Sequence, residues 1–193
     1  MRTRGYSLLE MLMVVTVIVI IAGAAIPLGY GEVDRARAAA AARYVAGRMM
    51  TARFEAVRRS AFVAIRFAEN ADGYSLRTYV DGNGDGVLSR DIAGNLDRQL
   101  TNDERLDDHF PGVVFGIHPN VTSLDPGQAL DQTDPVQIGS STLLSFSPDG
   151  SSTSGTVFIR GRQTNQFAVR LLGITGRTRV LEFSFADSTW QTR

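Results

Sequence analysis

Cysteine and lysine are both missing from the 193 residues. Without cysteine there is no disulfide, no thiolate metal site and no cysteine nucleophile. Without lysine there is neither a P-loop phosphate site nor a Schiff base, and all 20 basic side chains are arginine. Imidazole is scarce as well: only His109 and His118 supply it, and no Gly-x-Ser-x-Gly elbow accompanies them. The formal net charge is zero, so no global field draws in nucleic acid or anionic lipid. This inventory points away from an enzyme.

The composition is otherwise that of a folded chain, with 44% apolar and 21% charged residues, which argues against general disorder. Its length suits one domain plus an appendage. The balanced charge is unevenly spread: residues 1–67 carry +6, residues 68–135 carry −9 and residues 136–193 carry +3. Met11 to Tyr30 is a run of 20 residues without a charge. As a helix it spans ~30 Å, the hydrocarbon thickness of a bilayer, and the expectation is membrane insertion. Its flanks differ from those of a secretory signal, because the basic stretch is short and no small-x-small cleavage site follows. Arginines lie on both sides of the run, so charge counting alone leaves its orientation open.

Before the run stands Gly5-Tyr6-Ser7-Leu8-Leu9-Glu10, behind a short basic leader. A carboxylate at the start of a membrane stretch costs ~2–3 kcal/mol and calls for a partner. Leader, glycine, aromatic, Ser-Leu-x-Glu and the apolar run together resemble the class III signal of type IV pilins and type II secretion pseudopilins. The resemblance implies cleavage between Gly5 and Tyr6 by prepilin peptidase and N-methylation of Tyr6, where phenylalanine is the commoner family residue. It also implies that Glu10 pairs with the new amine of a neighbouring subunit during filament assembly. Charge physics agrees, since pairing relieves the burial cost of both groups. Pro27, with Gly23, Gly29 and Gly31 nearby, removes a helical hydrogen bond and should let this stretch bend or loosen in a filament.

Residues 32–60 contain no proline and one glycine besides many alanines and arginines, so the helix should continue to about Arg59. Val45, Met49, Ala52 and Ala56 form one apolar stripe for packing on a sheet, with Arg43, Arg48 and Arg58 on a solvated face. From residue 61 the period changes. Strands are expected at 61–67, 73–80, 113–117, 143–147, 156–160, 166–174 and 178–183, the first two as a hairpin. Residues 118–142 read as loop. One long helix followed by seven short strands gives an α+β domain with antiparallel sheet. That order resembles the protein H / FimT family of minor pseudopilins, helped by Phe146-Ser147-Pro148-Asp149-Gly150 and Gly176-Arg177-Thr178-Arg179.

Two motifs bear on ligands. Asp81, Asn83 and Asp85, with Gly86, open like a calcium loop, but the twelfth position is Ile92 and Asp91 stands one place short. Either Ca2+ is a cofactor here or these residues simply form a turn. Arg177 and Arg179 fall on one face of a strand, where two guanidiniums can grip phosphates; some DNA-uptake members of the family carry a similar motif. The other reading is that they brace the sheet. Trp190 either anchors the C-terminal end or meets a partner.

The expected organisation is a leader at 1–5, a pilin-like transmembrane and filament-core helix at 6–30, its amphipathic continuation at 31–60, and a β-rich globular domain at 61–193. The resemblance implies a single-pass inner-membrane protein with a periplasmic domain, processed by prepilin peptidase/methyltransferase and assembled with other pseudopilins or pilins into a filament. The expected function is that of a minor pseudopilin of type II secretion. The alternative is a minor type IV pilin that binds DNA for natural transformation.

Overall fold

The computed structural model describes residues 6–139 and 141–193, with backbone alone for residues 23–30. Helix α1 runs Leu8–Arg59. Its first turn is fixed by Ser7, whose hydroxyl accepts the Glu10 N–H (3.2 Å) and whose carbonyl accepts the N–H groups of Glu10 (3.1 Å) and Met11 (3.2 Å). Ser7 and Glu10 have capping-box spacing, and the carboxylate lies in the first turn, where the helix dipole favours it. The chain divides into two compact units between Val33 and Asp34.

In the first unit the apolar side chains from Leu8 to Ile21 are 46–86% exposed, on every side of the helix. The one hydroxyl among them, on Thr16, donates to the Leu12 carbonyl at 2.8 Å, so it needs no outside partner. Among the described residues no helix is long and apolar enough to cross a membrane; the described side chains of this run stop at Ala22. The Pro27 side chain and Gly5 lie outside the described residues.

In the second unit, α1 from Asp34 onward buries Ala38, Ala41, Ala42, Val45, Met49, Ala52 and Ala56. The expected stripe is therefore correct, and its alanines let the helix lie close on the strands beneath it. The helix stops at Ser60, which has φ +52°. The Ser60 N–H donates to the Val57 carbonyl and the Ala61 N–H to the Ala56 carbonyl, both at 3.3 Å. This is a Schellman cap made without glycine.

Strands β1 (Val63–Asn70) and β2 (Gly73–Val80) form the expected hairpin, registered from Val63 opposite Val80 to Asn70 opposite Gly73. After them come α2 (Ser89–Ala93), β3 (Arg98–Gln99), β4 (Glu104–Arg105), α3 (Leu106–His109), β5 (Val114–Phe115), β6 (Val136–Gln137), β7 (Leu143–Phe146), β8 (Gly155–Arg160), β9 (Gln166–Leu172), β10 (Arg177–Ser184) and β11 (Thr189–Thr192). One sheet has the order β3-β2-β1-β7 with β4 also on β2; the other has β11-β10-β9-β8-β5 with β6 also on β8. Every pairing is antiparallel. The count of seven strands is corrected to eleven among the described residues. β3, β4 and β6 have two residues each, too short to show alternation, and β11 has a single aromatic among polar residues.

The main core lies where α1 meets the inner faces of both sheets, through residues such as Phe67, Leu76, Phe146, Ile159 and Phe167. Each outer face is covered by a loop. Over the first sheet, Val87 and Ile92 pack on Ala64, Tyr79 and Leu143. Over the second, Val121, Leu124 and Leu130 pack with Phe158, Phe183 and Trp190. The polar segment 118–142 is thus a cover with an apolar underside, and it contains β6. Trp190 helps to hold it: the ring lies 5.1 Å from Phe183 and 5.9 Å from Phe158, and its Nε1–H donates to the Thr122 carbonyl at 2.9 Å.

Candidate functional site

The polar residues of α1 that matter to the second unit are anchors. Asp34 sits four residues before Ala38, on the buried stripe, and is 7% exposed. Its carboxylate accepts the backbone N–H groups of Arg162 and Gln163 (3.0 Å each) and Asn165 Nδ2 (2.8 Å). Burial pushes the Asp34 carboxyl up, but the Asn165, Gln163 and Arg162 donors outweigh it and hold it below its ordinary value of 3.8. Gly161 is required beside it, because a Cβ there would fall 2.3 Å from Asp34 Oδ2.

Further along, Arg35 donates to Glu182 at 2.6 and 3.1 Å, and Glu104 accepts the Tyr44 hydroxyl (2.6 Å) and forms an ion pair with Arg48 (3.0 Å). Burial and the Glu104 hydrogen bond push the Tyr44 hydroxyl up to about 12. The expectation that Arg48 lies on a solvated face is therefore corrected, while Arg43 is exposed and Arg58 pairs with Glu55 on the helix itself. Arg53 Nε donates to the Gly150 carbonyl at 2.8 Å, and Gly176 (φ +59°) packs directly against that guanidinium. The helix thereby joins the Ser147–Gly150 turn to the start of β10, two segments that the sequence shows only as separate weak motifs.

Of the N-terminal residues, Tyr6 is 80% exposed and Glu10 is also exposed. Glu10 is the only charged group in an apolar stretch reaching to Ala22, so it is the one side chain there that an incoming cation can pair with.

The acidic loop is built mainly as a turn. Asp81 Oδ1 accepts the N–H groups of Asn83 (2.9 Å) and Gly84 (2.7 Å), and its Oδ2 accepts that of Gly86 (3.0 Å). Asn83 Oδ1 accepts the Asp85 N–H, and Asp85 pairs with Arg90 at 2.8 Å. Asp91 is buried, with Oδ1 3.4 Å from Arg90 Nε. The structure thus places Asp81, Asn83, Asp85 and Asp91 on one loop but does not converge them. Among the described residues no group of three or more histidine, aspartate and glutamate side chains is set to hold a metal ion.

Arg177 and Arg179 alternate along β10 on the face that carries Phe183, and both are exposed. Arg179 lies opposite Arg170, which forks onto Asp125 at 2.8 and 3.0 Å. Among the described residues neither Arg177 nor Arg179 has a carboxylate partner, whereas Arg170 is a brace. Gln166, fully buried, is another residue that the sequence alone does not single out. Its Oε1 accepts the His118 N–H at 2.8 Å, and its Nε2 donates to the carbonyls of Gly116, Ile159 and Phe167 at 3.0–3.2 Å. Asp34 was legible in principle, since it shares the spacing of the alanine stripe; Gln166 carries no such signal.

A family model described as type II transport protein GspH matches residues 41–175. This is more than half of the chain, and the chain belongs to that family. Its α+β arrangement, a long N-terminal helix with antiparallel sheets, is the one expected, and the chain is a GspH/FimT-like pseudopilin or type IV pilin-like protein. The pilin-like protein PilA1 of Thermus thermophilus is 42% identical over 84 residues, covering 43% of this chain and 51% of that protein, so the chain spans about half the length of the relative. The solved structure of the minor pseudopilin EpsH from the Type 2 Secretion System of Vibrio cholerae is similar over 76% of this chain and 97% of that one, with 16% identity and a TM-score of 0.46.

Proposed function

We propose that this chain is a minor pseudopilin of a type II secretion system, with no catalysis of its own. The family implies a membrane-anchored, periplasm-facing subunit that interacts with other pseudopilins or pilins. The single observation that carries the reading is the first helical unit, whose apolar side chains are exposed on all sides with one acid, Glu10, in the first turn. A surface of that kind needs lipid and then other helices to cover it. Cleavage between Gly5 and Tyr6 gives Tyr6 a cationic amine, which is then methylated. Glu10 of one subunit pairs with that amine on the next, and residues around Pro27 yield as the helices stack. Residues 11–30 span the inner membrane before assembly.

Deletion of the gene, followed by complementation, tests this. Loss of secreted proteins from the culture medium, restored by the wild type and not by Glu10→Ala, is the expected result. Unaltered secretion overturns the proposal. Mass spectrometry of the protein from membranes should show N-methyl-Tyr6 as the first residue.

A second reading has its own observation: Arg177 and Arg179 are exposed, on one face of β10 and without carboxylate partners among the described residues. These suit the phosphates of DNA taken up in transformation. If that reading holds, Arg177→Gln/Arg179→Gln lowers transformation while leaving secretion unchanged. DNA binding by the purified protein should then weaken with a log–log salt slope reduced by about 2 in the double variant.

A further inference from the structure

We propose that the outer face of the first sheet holds a small tetrahedral oxyanion, of the phosphate or phosphomonoester class, between Arg66 and Arg77. The hairpin register sets Arg66 directly opposite Arg77. Both fall on the face of Ala64 and Tyr79, away from the helix. Two like charges directly opposed across a strand pair disfavour the sheet unless something neutralises them. Internal acids do so only in part. Arg77 donates to Tyr79 Oη at 3.3 Å and meets Asp103 at 3.3 Å, whereas Arg66 has no hydrogen-bonded or ionic partner among the described residues. The Nε atoms of both Arg66 and Arg77 are buried with no partner. Buried donors without acceptors are rare in folded proteins and mark a place where a ligand or water belongs.

The space for a ligand is present. A cavity of about 490 Å3 is lined by Arg66 and Arg77 from two adjacent strands, with Tyr79, Asn95, Asp97 and Gln99 among the other walls. The register sets Arg98 opposite Val80, so its side chain leaves on the helix face of the sheet. A smaller cavity of about 210 Å3 lies on the other side of the same two arginines, where Asp103 sits. Asp97, the acid facing the larger cavity, is already engaged: Oδ1 accepts the Gly82 N–H (3.2 Å) and Oδ2 the Leu88 N–H (2.9 Å). One planar carboxylate is satisfied by a single guanidinium fork. Two opposed guanidiniums from neighbouring strands match an oxyanion with three or four acceptor oxygens and more than one negative charge. The surrounding third of the chain carries −9, which repels an extended polyanion and leaves a small ligand as the one that fits.

The experiment is isothermal titration of the full-length protein in detergent with inorganic phosphate, O-phosphoserine and acetate at matched ionic strength and pH 7. Saturable binding of phosphate, absent with acetate, is expected, with affinity reduced about tenfold or more in Arg66→Gln. Arg66→Gln should melt no lower than the wild type in phosphate-free buffer, because it removes the like-charge opposition. Arg77→Gln should also weaken binding, while Arg98→Gln, whose side chain leaves on the opposite face of the sheet, should keep full affinity. O-phosphoserine displacing phosphate identifies a phosphomonoester as the source; failure to displace it identifies the free anion. No saturable phosphate binding, equal responses to phosphate and acetate, or full affinity in both Arg66→Gln and Arg77→Gln would overturn the proposal.

Discussion

A buried carboxylate persists in a fold only when its lone pairs are filled, and Asp34 meets that condition with three donors from the β8–β9 turn. Removing it leaves the Arg162 and Gln163 N–H groups without acceptors, so Asp34→Ala should cost roughly 2–4 kcal/mol in a denaturant titration of the second unit. The sign of its pH dependence follows from a folded pKa depressed below 3.8. The stabilisation is complete above that value and is lost as pH falls through the lower, folded one. Glu182 acts in the same direction, its carboxyl held below 4.5 first by the Arg35 hydrogen bond, against burial, and then by Arg193. Acid titrations should therefore show stability falling below about pH 4, and Asp34→Asn should flatten that fall. An equally steep loss in Asp34→Asn would remove Asp34 from the account. The same logic, inverted, marks Arg66 and Arg77, whose buried Nε donors remain unfilled within the described residues.

At the scale of elements, α1 combines two surfaces in one continuous helix. Its first part shows apolar side chains on all sides, while from Asp34 on an alanine-rich stripe is buried and Met50, Phe54 and Val57 are exposed. The helix ends where Ser60 takes φ +52°, a conformation costly for a residue with a Cβ. Glycine removes that cost but gains freedom in the unfolded chain, so Ser60→Gly should stabilise by about 0.5–1 kcal/mol, read as a higher denaturation midpoint with unchanged slope. A decrease would mean that the Ser60 side chain contributes more than its backbone costs. The hairpin that follows is as decisive for register. With only Ala71 and Asp72 between Asn70 and Gly73, every cross-strand pair is fixed, including the opposition of Arg66 and Arg77.

The molecule as a whole solves a problem common to two-sheet domains, since each sheet has an inner face on the helix and an outer face that would otherwise meet water. Loops provide the covers, and Trp190 is the rivet for one of them. Trp190→Ala removes its ring contacts with Phe158 and Phe183 and the hydrogen bond to Thr122. The expected cost is about 2 kcal/mol for a partly buried aromatic. Amide exchange should accelerate in residues 119–134 and much less in β8 and β9, whose ladders do not depend on the cover. Uniform acceleration across both sheets would show instead that Trp190 supports the entire fold.

Long, strongly periodic features were legible in the residues alone. The reach of α1 to Arg59, its buried stripe and the β1–β2 hairpin follow from local periodicity, capping and turn length, which act over a few neighbours along the chain. The two-residue strands β3, β4 and β6, the apolar underside of residues 118–142 and the work of Gln166 were not legible. A two-residue strand has no period, and a cover or a bridging amide is defined by partners far away in sequence. The arginines divide along the same line. Their number and spacing are properties of the chain, but whether each is braced, as Arg35, Arg48, Arg53 and Arg170 are, or left without a partner among the described residues, as Arg66, Arg98, Arg177 and Arg179 are, depends on which acids and carbonyls folding brings within reach. Only tertiary structure decides that, because hydrogen bonds and ion pairs act over a few ångströms of space and not over positions in a sequence.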